Sequence, residues 1–232
     1  KLEPDTTGLK LTMDLLHRSR FQFPGMAIGF IRRMLDDAIN HTQTRFIRGK
    51  PLMALDQVRH QIARIQNAFT VSSAMCSRSS EASGIEHDLT GSTVEANTMK
   101  AYVTELMQES AQTLTQLYGA NGYKEESIAS RGIIDSRPFQ VFEGSNEMLY
   151  TQISEMVVKQ MRRLKQMNLA SFLKEYKLTR LTADYFKNLT DFTVDEKMPQ
   201  RKQVGLGKIL SRIVSADYVI TLGNKGDRKS VV

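Results

Sequence analysis

A chemical reading of this chain turns on one carboxylate, Glu143. It closes the stretch Gln116 to Glu147, QLYGANGYKEESIASRGIIDSRPFQVFEGSNE, which reads as a helix end, a glycine-rich turn, a connector and a buried-looking run into that single acid. Val141 and Phe142 precede the acid, Gly144 follows it, and a helical pattern resumes behind them. A carboxylate in apolar surroundings takes up a proton more readily than one in water and can serve as an acceptor near neutral pH. Taken locally, the YGANGY segment is a helix C-cap with glycine in the left-handed region.

Other chemistries find no support. The four histidines, His17, His41, His60 and His87, are scattered, and no Cys/His spacing suggests zinc. There is no P-loop or nucleophile elbow, and GANG does not meet the G-x-G-x-x-G spacing of a dinucleotide fingerprint behind a strand.

The elements that must position Glu143 are helical. At 232 residues, with 41% apolar and 25% charged residues, the chain can bury one good core as an ordinary globular protein. A short helix is expected within residues 1–19, broken by Pro24-Gly25. A first long helix then runs from Met26 to about Arg45, with Ile28, Ile31, Leu35 and Ile39 on one face, and Gly49-Lys50-Pro51 stops it. A second covers about Ala54 to Ser83 through Val58, Ile62, Ile65, Phe69 and Val71. A third starts at Ser92, whose pairing with Glu95 reads as a capping box, and turns Met99, Val103, Met107, Leu114 and Leu117 inward before Gly119. A fourth restarts near Gly144 and carries Met148, Ile153, Met156, Val157 and Met161. The fold class is therefore all-α, an antiparallel up-and-down four-helix bundle with additional C-terminal helices. The 25-residue connector before Glu143 is too long for a simple bundle turn, which marks it as functional or disordered.

Two further helical segments follow Asn168, LASFLKEYKLTRLTADYFKNL and QVGLGKILSRIVSADYVITL, separated by the hinge TVDEKMPQRK. The second segment has Leu206, Ile209, Leu210, Ile213 and Val214 along one face, so it should dock. The final GNKGDRKSVV reads as disordered. Two units are expected: a helical bundle at 1–168 and a basic extension at 169–232. Residues 159–232 hold 16 Lys/Arg against 7 Asp/Glu, or +9, out of a net charge of +7. Such a tail is either a solvated helix face or a contact for nucleic acid, a membrane surface or an acidic partner. One cysteine, Cys76, excludes an internal disulfide, and KLEPDTTG lacks a signal-peptide layout. Both favour a reducing cytoplasm.

Gln116-Leu117-Tyr118-Gly119-Ala120-Asn121-Gly122-Tyr123 resembles the Q-(I/L)-(Y/F)-G-G-N-G-(Y/F) motif of acyl-CoA dehydrogenases. In that family an R-D pair and an (I/V)-(Y/F)-E-G-(T/S) segment follow. Asp135 and Phe139 to Ser145 stand in those places with no gap from Gln116 to Glu143. Arg20, the LDDA of Leu35 to Ala38, Arg45 before Gly49-Lys50-Pro51-Leu52, and Lys100 also match. The resemblance covers roughly residues 8 to 166, the family's C-terminal helical domain.

The resemblance implies a flavoenzyme that oxidises acyl-CoA thioesters to trans-2-enoyl-CoA. A carboxylate takes the α proton while FAD accepts a hydride from the β carbon. Glu143 matches that base, with the backbone N–H at the glutamate polarising the thioester carbonyl. Arg45 matches the arginine on the FAD pyrophosphate. Gln116, Gly119 and Ala120 match the turn that cradles the adenylate half of a neighbouring subunit's FAD. Ser145 and Glu147 match flavin-nucleotide contacts, Arg20 lies at the position near the CoA nucleotide, and Phe142 and Gly144 flank the base on the substrate side. The implied partners are acyl-CoA, an electron-transfer flavoprotein or other acceptor, and further copies of the chain in a homodimer or homotetramer. Some branches bind DNA or a membrane through a basic C-terminal extension, which keeps that alternative open for residues 169–232.

Four positions depart from the pattern: Ile134 stands for the arginine of the R-D pair, Arg48 for a phenylalanine, Ala120 for the second glycine, and His17 for an acidic CoA contact. The family's helical and β-barrel domains that precede the bundle are not among these residues. The chain is expected to be a piece of a longer protein or a stand-alone relative. By itself it should bind FAD weakly and not turn over acyl-CoA.

Overall fold

Gly8–Thr44 forms one helix, α1, that passes straight through Pro24 in the computed structural model, which describes residues 6–226. The expected break at Pro24-Gly25 is absent. Proline removes one helix hydrogen bond and crowds the preceding turn, a cost of about 3 kcal/mol. Phe21, Phe23, Ala27, Ile31 and Met34 are buried on either side of it, and each large apolar side chain contributes roughly 1.5–3 kcal/mol when buried. Packing therefore outweighs the local preference.

Behind α1 a two-residue hairpin pairs Phe46–Ile47 (β1) with Lys50–Pro51 (β2). Its tip is Arg48-Gly49, with φ of 49° and 76°, the pair of positive angles that a tight hairpin turn requires. Then come α2 (Asp56–Ala82), α3 (Thr93–Tyr118), α4 (Ile128–Ser136), α5 (Asn146–Arg163), α6 (Leu169–Glu175), α7 (Lys187–Thr190) and α8 (Gln200–Asn224). Helices α1, α2, α3 and α5 make the expected all-α bundle, with α3 at its centre: 18 of its 26 residues are buried. The pairings Arg64–Glu109 and Arg78–Glu95 set α2 antiparallel to α3. Asn97–Gln152 and Lys100–Asn146 do the same for α5.

Several local expectations are corrected. Ser92 makes no side-chain cap on α3, and Glu95 is buried, accepting from Arg78 and the Tyr218 hydroxyl. Ion pairing to a neighbouring helix has taken the carboxylate from its own helix end. The connector is not structureless, because it contains α4 and two short 3-10 turns, Gly119–Tyr123 and Pro138–Gln140. Met148 and Ile209 are exposed rather than inward-facing.

In the extension, the first segment is helical only over α6 and α7. The Thr179 hydroxyl bonds the Leu173 carbonyl and the Thr182 hydroxyl bonds the Ile213 carbonyl, the competition by β-branched hydroxyl residues that unravels helices. The second segment docks as expected, burying Leu206, Leu210, Ile213 and Val214, and it packs on α5 and α2. Gly207 crosses α5 so closely that an added Cβ would lie 2.0 Å from the Tyr150 carbonyl oxygen. Of the tail read as disordered, Gly223 and Asn224 end α8 and Lys225-Gly226 form a turn; 227–232 lie outside the described residues.

Candidate active site

Glu143 sits in a two-residue reversal between the Pro138–Gln140 turn and α5. Its φ is +56° and that of Gly144 is +96°, so both residues occupy conformations that favour glycine, and the glutamate carries strain of order 1–2 kcal/mol. Ser145 then caps α5, its hydroxyl accepting from Met148 N at 3.4 Å.

The surroundings of the carboxylate are not the apolar run expected from the sequence. Val141 is 60% and Phe142 44% exposed, because the short 3-10 turn presents them outward while Phe139 and Phe142 group with Phe23. The Ser19 hydroxyl, from α1, donates to Glu143 Oε1 at 2.5 Å. Glu143 Oε2 is buried and has no hydrogen-bond partner among the described residues.

Two buried cations hold the backbone of this reversal. Arg20 Nη2 donates to the Glu143 carbonyl at 3.0 Å and Nη1 to Asn97 Oδ1 at 2.7 Å. Lys100 Nζ donates to the Gly144 carbonyl at 2.8 Å and to Asn146 Oδ1 at 2.9 Å. Burial lowers the Arg20 pKa, and the Glu143 charge opposes that shift. Burial, helped by the Arg20 charge, brings Lys100 down to about 8. His17 is fully buried, with Nδ1 against the Leu89 carbonyl at 2.6 Å; burial lowers its pKa, which favours the neutral ring.

The candidates Arg45, Gln116, Gly119 and Ala120 lie at the other end of the bundle. His41 stacks on Tyr118 with ring centroids 4.2 Å apart, which brings the end of α1, and so Arg45, beside the Gly119 turn. Arg45, Gln116, Gly119 and Ala120 are all exposed. Gly119 has φ +57° with open space where a Cβ would be, and Arg45 makes no ion pair among the described residues. An exposed cation beside a bare backbone turn fits an anionic dinucleotide. From Lys100 to Tyr118 is 18 residues of α3, about 27 Å at 1.5 Å per residue. Glu143 and the Gly119 turn are thus not brought together within one copy. Glu147 is exposed in the first turn of α5 and Ile134 is 67% exposed.

Ser19, Asn97 and Asn146 were not singled out from the sequence. A signal was present in α3, where Asn97, Lys100, Thr104 and Gln108 follow one another at helical spacing and all are buried. A polar stripe on a central helix must find buried partners.

Comparison with known proteins agrees with this fold. The family described as acyl-CoA dehydrogenase, C-terminal domain, matches residues 6–158. The human mitochondrial very long-chain specific acyl-CoA dehydrogenase is 24% identical over 143 residues, covering 62% of this chain and 22% of the relative. The caffeyl-CoA reductase-Etf complex subunit CarC of Acetobacterium woodii is 25% identical over 152 residues, 66% of this chain and 39% of the relative. Butyryl-CoA dehydrogenase from Megasphaera elsdenii superposes with a TM-score of 0.54 at 24% identity, covering 65% of this chain and 39% of that one. An acyl-CoA dehydrogenase from Slackia heliotrinireducens gives 0.59 at 21% identity, with 70% and 42% covered. The chain spans from about a fifth to two-fifths of the length of these relatives. It belongs to the acyl-CoA dehydrogenase family, whose C-terminal helical domain it carries.

Proposed function

We propose that this chain supplies the proton-abstracting part of an FAD-dependent acyl-CoA dehydrogenase, with Glu143 as the base. The observation that carries the reading is the state of the carboxylate: Ser19 fixes Oε1, and Oε2 has no partner among the described residues. That unpaired oxygen takes the α proton of the thioester, and the Glu143 carboxyl becomes neutral as the α carbon gains electron density. Bound FAD would supply the acceptor for the hydride that leaves the β carbon.

Arg45 offers a cation to the FAD pyrophosphate, and Gln116, Gly119 and Ala120 offer open backbone to its adenylate half. Because that turn lies about 27 Å along α3 from Lys100, it serves the cofactor of a second copy in a homodimer or homotetramer. Ser145 and Glu147 stand at the start of α5 for nucleotide contacts, and Phe142 and Gly144 flank the substrate. An electron-transfer flavoprotein or another acceptor would take up the electrons; the likeness to a subunit of an Etf complex supports the former. The cations of the extension are partly engaged by the bundle, since Lys208 and Arg212 both reach Glu105. The test is Glu143→Gln in the flavin-loaded protein with a panel of acyl-CoA thioesters, flavin content being measured alongside.

A further inference from the structure

We propose that Lys100 and Arg20 are positioning residues that hold the Glu143–Gly144 reversal open and so aim the Glu143 carboxylate at the substrate. This rests on the reading of Glu143 as the base. Glu143 and Gly144 both sit at positive φ, and unlike the hairpin tip Arg48-Gly49 they have no strand pairing among the described residues to close them, so the surroundings must hold them. The two carbonyls of the reversal are each held by a different buried cation, Glu143 by Arg20 on α1 and Gly144 by Lys100 on α3. Each cation is itself anchored by a buried amide, and each amide is fixed in turn. Asn97 Nδ2 donates to Gln152 Oε1 at 3.0 Å, and Asn146 Nδ2 donates to the Ala101 carbonyl and Thr104 Oγ1, both at 3.0 Å.

Nothing about bundle stability calls for this arrangement. Neither cation has a carboxylate within ion-pairing distance among the described residues, the Glu143 charge acting on both only from farther off, and burying a charge without a paired counter-ion is costly. The cost falls instead on the two carbonyls that set where Glu143 points. A misplacement of about 1 Å at a reacting group can lower a rate about 100-fold.

The test uses the full-length, flavin-loaded protein. Lys100→Met is expected to lower kcat about 10- to 100-fold while KM and flavin content stay within about twofold. Washout of deuterium from the α position of a labelled acyl-CoA should fall in parallel. Amide hydrogen exchange over residues 143–146 should speed up about tenfold or more, a readout independent of turnover, as a clamp is loosened. Lys100→Arg, which keeps donors on a cation, should recover part of kcat. If Lys100→Met does not fold, Asn97→Ala, which frees Arg20 from its anchor, carries the same expectations. Unchanged kcat and unchanged exchange in the folded variant overturn the proposal, as does a loss of kcat matched by an equal loss of bound flavin. Glu143→Gln run in parallel separates the two ideas: if it stays active the base reading fails, whereas an inactive Glu143→Gln beside a fully active Lys100→Met sinks only the positioning role.

Discussion

Arg20 donates to the carbonyl of Glu143 at 3.0 Å, joining residues 123 positions apart in sequence. The same guanidinium reaches Asn97, so its removal leaves one buried and one part-buried acceptor without a donor. Each such loss costs about 1–3 kcal/mol. Arg20→Met should therefore lower the free energy of unfolding by about 2–4 kcal/mol in denaturant titrations. A change within about 0.5 kcal/mol, typical of exposed sites, would show that the guanidinium is not held as described.

Lys100 gives a pH dependence of defined sign. Its pKa is brought down to about 8 in the folded chain from 10.5. Between those values the unfolded chain binds more protons, so stability rises with pH across that window. The gain is complete above the unfolded value and is lost as pH falls through about 8. Unfolding free energies measured at pH 7.5, 9 and 10.5 should rise for the native protein relative to Lys100→Met. A flat difference would contradict the assigned burial of the charge.

The docking of α8 depends on Gly207, where a Cβ would meet backbone rather than a flexible side-chain end. Gly207→Ala should separate α8 from α5 locally and cost about 3 kcal/mol or more, in the range of severe overpacking. Faster proteolysis within residues 190–224 would report the separation. Gly205→Ala is the control, since nothing lies within 4 Å of its added Cβ.

Flavin binding should be weak for these 232 residues alone, because Arg45, Gln116, Gly119 and Ala120, which are offered to the cofactor, are all exposed and enclose none of it. Chain purified by itself, then mixed with FAD and gel-filtered, should emerge without a stoichiometric flavin absorbance. A yellow 1:1 complex would show that these residues suffice to hold FAD, within one copy or shared between two.

The apolar stripe of α3 made the bundle legible, because Met99, Val103, Met107, Leu114 and Leu117 all point inward at helical spacing. Pro24 misled because proline's local cost is visible in sequence, while the Phe21, Phe23 and Ile31 packing that overcomes it is not. The motif ending in Glu143 was legible as a position, but its setting was not. Val141 and Phe142 read as buried, and only the 3-10 turn before them shows why they face outward. Ser19 was invisible for a related reason: a lone serine on a helix carries no signal until the fold brings a carboxylate to it.

The role of Glu143 as base is tested by the rate of acyl-CoA dehydrogenation by Glu143→Gln in the flavin-loaded, full-length protein. Glutamine keeps the size and can still accept from Ser19, but it cannot take the α proton. General-base removal of this kind costs about 100- to 10,000-fold. The account predicts a loss of that order with flavin content unchanged. Dehydrogenation at the native rate by Glu143→Gln would contradict it.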